Sequence, residues 1–276
     1  MSGNADGSIN IATSNGNISA AAADVVATWT PGDRDPDTVA READLEGQMR
    51  KWSYEAAVGI SGKSGNSTKS DFAAALAATL EGPTDRLSLY AGFQYSKAEG
   101  TTTADEIIGG MSYTSYFSEH YGWYVREELE RDKFENLTFR STTAVGLNYR
   151  PIKTETRSLE FTAGVALRYE GYGFDLDGDG FEDKTGSESL PGLDLGVRHY
   201  WKFADWGEMH NSIVYNPAFE DFADDYRLDH ISAIDLPLGT ADYWKFRVSL
   251  QNQYNSSAVD EKLDTTYALS LLLNWK

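Results

Sequence analysis

Leu87-Ser88-Leu89-Tyr90-Ala91-Gly92-Phe93-Gln94-Tyr95 changes character at every step. On a β-strand successive side chains point to opposite faces. Leu87, Leu89, Ala91, Phe93 and Tyr95 therefore share one greasy face, and Ser88, Tyr90, Gly92 and Gln94 share a polar one. The same beat recurs along the chain in both directions from this stretch. Trp52, Tyr54, Ala56, Val58 and Ile60 carry it, then Phe72, Ala74, Leu76, Ala78 and Leu80. It returns over Ile107 to Phe117, Trp123 to Asp132, Phe139 to Tyr149 and Leu159 to Tyr169. Leu193 to Phe203, Met209 to Tyr215, Tyr226 to Leu236, Trp244 to Leu250 and Tyr267 to Trp275 complete about twelve segments. Alternating stripes with aromatics at their ends predict an all-β fold, a transmembrane antiparallel up-and-down β-barrel.

Composition is compatible with that reading. Only 41% of the 276 residues are hydrophobic, as expected when half of each strand faces water. The chain has 16 tyrosines and 7 tryptophans, residues suited to the two membrane interfaces. No cysteine is present, which removes disulfides and thiolate metal sites. Acidic residues outnumber basic ones by 43 to 24, so nucleic acid is not an expected partner.

The barrel is expected to occupy residues 51–276, after two smaller pieces. Residues 1–30 read as a small β element, the tail of a truncated periplasmic module: Ser8 to Thr13 alternates, Asn15-Gly16 is a hairpin turn, Asn17-Ile18-Ser19 resumes, and Asp24 to Trp29 is a further candidate strand. Residues 31–50 read as a charged linker or short helix whose few apolar anchors are Val39, Leu45 and Met49. Met1 to Gly7 has neither the basic nor the apolar region of an export signal. An exported barrel needs one, so a processed or trimmed chain with an added Met is expected.

The connections suggest an orientation. Gly82-Pro83-Thr84, Glu119-His120-Tyr121, Ala204 to Gly207 and Leu238-Gly239-Thr240 read as tight turns. Lys97 to Asp105, Arg131 to Thr138, Phe174 to Pro191 and Pro217 to Asp225 read as wider links. Short turns facing the periplasm and an even strand count place both termini there, in a Gram-negative outer membrane. A soluble barrel would invert the pattern, oily side inward. Two features oppose inversion: aromatics gather at strand ends, and the polar faces carry both charge signs. Arg140, Arg150, Glu160, Arg168, Glu170, Asp194, Arg198, Lys202, Arg227, Asp229, Lys245 and Arg247 are therefore expected to face a water-accessible lumen laced with ion pairs. One strand breaks the pattern. Glu127 and Arg131 share the face of Trp123, Val125 and Leu129; Arg131 and Lys133 are expected beyond the hydrocarbon zone, and the pattern gives Glu127 no role.

Particular runs also resemble a known family. Lys51 to Thr68, a Trp-led strand ending in Ser64-Gly65-Asn66-Ser67-Thr68, resembles the opening of the YdiY-like, salt-induced outer membrane protein family. Asp85 to Leu89, Tyr95-Ser96-Lys97, Glu130 to Phe134, Gly146 to Arg150, Asp225 to Leu228 and Asp264-Thr265-Thr266 extend the resemblance over 51–276. Asp6 to Thr13, with Gly16 and Val25, looks like the β module that precedes the barrel in some members. The resemblance implies an outer-membrane barrel without catalytic residues to carry over. It also implies outer-membrane lipid as surroundings and the barrel assembly machinery as a partner during insertion. That machinery reads a terminal aromatic, and here Trp275 is followed by Lys276.

Two motifs are candidates for chemistry. Asp175, Asp177 and Asp179 with the Phe181 carbonyl and Asp183 match the first half of an EF-hand-type calcium loop, and Gly186 stands where the bidentate Glu would be. Calcium is the only cofactor the sequence suggests. His210-Asn211-Ser212 places a His and a Ser on one strand face, a pairing that a barrel phospholipase uses toward the lipid. Here Ile213 and Tyr215 claim the lipid side, so His210 is expected to point inward. The expectation is a non-enzymatic barrel with a structural or envelope role, conducting solutes or ions through a narrow mixed-charge lumen. The alternatives are an outer-membrane lipid or ester hydrolase, or a soluble ligand-binding barrel.

Overall fold

The computed structural model describes residues 2–3, 8–13, 16–24, 32, 34–64, 69–98, 101–132, 137–174, 184–239, 243–257 and 262–276. The chain divides into two compact units, Met1–Met49 and Arg50–Lys276. The first holds a small antiparallel sheet of β1 (Ser2–Gly3), β2 (Ser8–Thr13) and β3 (Gly16–Ala21). Gly16 takes φ 126° where the β2–β3 hairpin turns, a backbone state that favours glycine. A short 3-10 turn spans Ala22–Asp24. Of the candidate strand Asp24 to Trp29, only Asp24 lies within the described residues. The charged segment is helical over α1 (Pro36–Gln48). Asp35 caps it by accepting from the Asp37 N–H at 2.9 Å, with Pro36 in the first turn.

The second unit is a closed barrel of twelve strands. They are β4 (Lys51–Ser64), β5 (Lys69–Glu81), β6 (Asp85–Ala98), β7 (Thr101–Tyr116), β8 (Tyr121–Asp132) and β9 (Leu137–Lys153). The circuit continues through β10 (Arg157–Phe174), β11 (Lys184–Ala204), β12 (Gly207–Pro217), β13 (Tyr226–Pro237), β14 (Trp244–Asn255) and β15 (Leu263–Trp275). Each strand pairs antiparallel with its sequence neighbours, and β15 returns to β4, with Leu271 opposite Val58 and Trp275 opposite Tyr54. Closure leaves no edge strand, so the backbone donors and acceptors along the wall are paired within the sheet.

The rim where β4 begins and β15 ends carries the links 82–84, 117–120, 154–156 and 205–206, and β13 ends and β14 begins there too. At the other rim β4, β6, β8, β10, β12 and β14 end and β5, β7, β9, β11, β13 and β15 begin. Two wide links expected from the sequence are in large part strand. Lys97 pairs with Thr102 and Ala98 with Thr101, so the β6–β7 ladder runs as far as Ala98 and Thr101. Likewise β11 starts at Lys184, before Pro191, and pairs with β10 up to Phe174. The β-branched run Thr101-Thr102-Thr103 suits an extended ladder, and hairpin pairing carries the strands past the greasy stripe.

The greasy stripes face outward. Val165 is 51% exposed, Leu147 65% and Leu76 62%, whereas Arg140 is 2% and Glu160 3% exposed. This inversion of a soluble fold is what a barrel needs when its solvent is hydrocarbon. Aromatic rings gather toward both rims. Trp52, Tyr54 and Trp275 stack in series at the terminal rim, at 5.8 and 5.5 Å between ring centroids. Tyr121, Tyr149 and Phe161 do the same farther round, at 5.0 and 6.4 Å. At the opposite rim Phe139 meets Tyr169, and Tyr226 bridges Tyr215 and Tyr254.

The structure supplies the missing account of Glu127. Its carboxylate faces outward on β8 and accepts hydrogen bonds from the hydroxyls of Ser141 and Thr143 on β9. Thr143 is its direct cross-strand partner. The charge is thus solvated by the barrel's own wall. Arg131 lies near the end of β8 away from the terminal rim; Lys133 is outside the described residues.

Candidate functional site

The lumen is built on one device, a tyrosine laid across glycine. Tyr124 on β8 is in register with Gly146 on β9, which is in register with Gly164 on β10, which faces Asp194 on β11. With no side chain on the two glycines, the Tyr124 ring crosses both strands and its hydroxyl donates to Asp194 Oδ2 at 2.5 Å. A Cβ at Gly164 would collide with the Val145 carbonyl oxygen and crowd the Tyr124 hydroxyl. Tyr90 repeats the arrangement. It passes over Gly110 and donates to Glu128.

Arg126 follows Tyr124 across the same floor of small residues. Tyr124, Ala144 and Ala166 form a buried cluster. The Arg126 guanidinium donates to Asp194 and, at 3.2 Å, to Asn216. Toward the terminal rim, Arg86 on β6 forks onto Glu160 on β10 at 2.9 and 2.6 Å. Tyr116 also donates to Glu160, and the Arg150 guanidinium lies 3.7 Å over the Tyr116 ring. Toward the other rim, Arg140 sits between Glu130 at 2.8 Å and Glu170 at 2.6 Å. Arg227 reaches Glu130 from β13 at 2.9 Å, and Arg168 binds Asp225 at 2.7 Å. These side chains fill the β8–β11 side of the barrel with paired charge. Buried pairs are favourable only when well hydrogen-bonded, and the forks supply those bonds.

The opposite side stays open. Ala73, Ala75 and Ala77 on β5, with Gly92 on β6, leave room for a cavity of about 530 Å³. Four arginines line it, Arg126, Arg198, Arg227 and Arg247, together with the carboxylates of Glu55, Glu106, Glu128 and Asp229. Arg247 is held by Glu55 at 2.7 Å and Asp235 at 2.7 Å, and Arg227 by Asp229 at 3.1 Å. Lys245 binds Glu208 at 2.7 Å. Arg198 differs. It is exposed to the cavity and has neither an ion pair nor a side-chain hydrogen bond among the described residues.

The lumen charges Arg140, Glu160, Arg168, Glu170, Asp194, Arg198, Arg227, Asp229, Lys245 and Arg247 therefore fall on one inner surface. The structure also recruits side chains the sequence reading passed over. Arg86, Tyr90, Tyr124, Arg126, Glu128, Glu130 and Asp235 form most of the cross-lumen contacts. Parity was the available signal, since each stands opposite an apolar stripe. Arg126 to Lys133 is so charged that its alternation is hard to read.

His210 faces inward, 3.3 Å from Asp235 Oδ2, and no hydrogen bond joins it to Ser212 among the described residues. Glu208, His210 and Asp235 bring potential ligand atoms within 4.8 Å of one another. Lys245 and Arg247 already neutralise the two carboxylates, which disfavours a bound cation. The calcium-loop candidates Asp175, Asp177, Asp179, Phe181 and Asp183 lie outside the described residues.

Among known structures, likenesses are found at low identity. The chain is similar to the NanC porin at 11% identity and TM-score 0.49, covering 79% of this chain and 98% of that one. It is similar to the translocator domain of the autotransporter NalP from Neisseria meningitidis at 10% identity and TM-score 0.47, covering 87% and 98%. It is also similar to the KdgM porin at 14% identity and TM-score 0.42, covering 80% and 99%. No curated protein matches the chain. Residues 56–275 match the family described as "Protein of unknown function, DUF481", nearly the whole barrel, and the chain belongs to that family.

Proposed function

We propose that this protein is a narrow outer-membrane pore for small hydrophilic solutes. The observation that carries the proposal is the open half of the lumen. Alanines and glycine stand where bulky side chains would fill the bore, while the other half is packed with paired charge. A purely structural barrel has no need of such a one-sided void. Twelve strands lie between a filled eight-stranded barrel and an open sixteen-stranded porin, so the side chains decide the bore.

The apolar exterior and aromatic girdles support a lipid setting, and the resemblance to the YdiY-like family favours the outer membrane. The rim of mostly short links, where β4 begins and β15 ends, is assigned to the periplasm. No nucleophile–base pair faces the lipid at His210 and Ser212, which favours transport over lipid hydrolysis.

Purified protein in planar lipid bilayers tests the reading. Discrete current steps in potassium chloride are expected. Silent insertion, with the barrel fold retained by circular dichroism, would leave a sealed scaffold instead.

A further inference from the structure

One cross-strand row in the lumen juxtaposes three different chemistries. Arg198 on β11 pairs with Ser212 on β12, and Ser212 pairs with Ile231 on β13. Adjacent strands are about 4.8 Å apart, so a guanidinium, a hydroxyl and an apolar side chain stand side by side along one wall. All three line the open cavity. Ile231 is 43% exposed although it points into the lumen, an unusual cost in a water-filled passage. Ile108 and Val214 line the same cavity and extend the apolar patch.

The cation in this row is unspent. Its direct partner on β10 is Glu160, but both Glu160 oxygens are taken by Arg86. Asp194, two pairs away on the same face, is taken by Arg126, Tyr124 and Asn216. Arg86 and Arg126 thus occupy Glu160 and Asp194, and Arg198 is left without an ion pair among the described residues, while the Glu128 carboxylate lining the same cavity is held by Tyr90. A planar guanidinium presents paired N–H groups that fit a carboxylate.

We propose that Arg198, Ser212 and Ile231 form a binding site for a small monocarboxylate with an apolar body. The carboxylate lies on Arg198 and Ser212, and the apolar body lies along Ile231 toward Val214. The proposal rests on the pore reading for its transport role, whereas binding itself does not require conduction.

The probe is benzoate, with benzamide, acetate and inorganic phosphate as comparisons, titrated calorimetrically into the detergent-solubilised full chain. Benzoate is expected to bind more tightly than benzamide, acetate or phosphate. Arg198→Gln is expected to weaken benzoate about tenfold or more. It should leave thermal stability unchanged, because Arg198 makes neither an ion pair nor a side-chain hydrogen bond among the described residues. Ile231→Ser is expected to weaken benzoate about threefold or more while sparing acetate. Equal benzoate binding by wild type and Arg198→Gln would overturn the site. So would equal binding of benzamide and benzoate, or phosphate binding as tight as benzoate. Benzoate block of single-channel current separates the two readings. Binding without any conductance leaves the site and removes the pore, whereas conductance without benzoate binding leaves the pore and removes the site.

Discussion

Glu160 and Arg198 are direct partners across the β10–β11 ladder, yet the Glu160 carboxylate turns away to Arg86 on β6, 74 residues distant in sequence. Cross-strand neighbours of opposite charge ordinarily attract. The bidentate fork from Arg86, with Tyr116 and Asn148 also donating to Glu160, outcompetes the local pair. Removing Arg86 should release Glu160 toward Arg198. Arg86→Gln is expected to lower benzoate affinity without touching the site. Its cost in stability should fall below the roughly 3–5 kcal/mol typical of an orphaned buried charge. The double variant Arg86→Gln/Arg198→Gln should lose more stability than the two single variants summed, as denaturant unfolding in micelles would show.

Tyr124 depends on the two glycines beneath it. Tyr124→Phe removes its bond to Asp194 and is expected to cost about 1.5–3 kcal/mol, typical of a hydrogen bond to a charged group. Gly164→Ala should cost at least as much, because the added Cβ meets the Val145 backbone as well as the tyrosine hydroxyl. Thermal loss of the β circular dichroism signal reads both. If Gly164→Ala melts with wild type, the close approach is not structural.

The open half of the lumen owes its width to small side chains on β5. Ala75→Trp projects an indole into the cavity without disturbing the buried ion pairs. Single-channel conductance is expected to fall by about half or more, since conduction follows pore width, while stability holds. Unchanged conductance would place the solute path elsewhere.

Glu127 is an outward carboxylate made tolerable by Ser141 and Thr143. Glu127→Arg is expected to destabilise the barrel by about 2–4 kcal/mol, because the two hydroxyl oxygens are too few acceptors for the five N–H donors of a lipid-facing guanidinium. Glu127→Leu should be close to neutral. Reversible unfolding in lipid vesicles measures both, and a neutral Glu127→Arg would place this position at the interface.

Much of this was legible from residue order. The two-residue beat identified the barrel segments and the inward parity of Arg140, Glu160, Arg168, Asp194, Arg198 and Arg247. Where strands end was less legible. Lys97-Ala98 and Thr101-Thr102 look like loop by hydropathy but continue the ladder, because backbone pairing outlasts the greasy stripe once a hairpin is in register. The role of Gly146 and Gly164 was hidden too. A glycine on a polar face is unremarkable until a tyrosine two strands away is known to lie across it.

Alternation along the backbone is a local property, and it sorted the side chains into two opposite faces, while aromatics at the strand ends and mixed charge on the polar faces indicated which face looks outward. Which inward charges meet was decided only by the tertiary structure. Arg86 reaches Glu160, Arg126 reaches Asp194 and Arg227 reaches Glu130. Those meetings depend on ladder register, on strand order around the closed wall, and on where small residues let long side chains cross. The same geometry leaves Arg198 without a carboxylate, because the competition for Glu160 is settled across the bore and not along the strand.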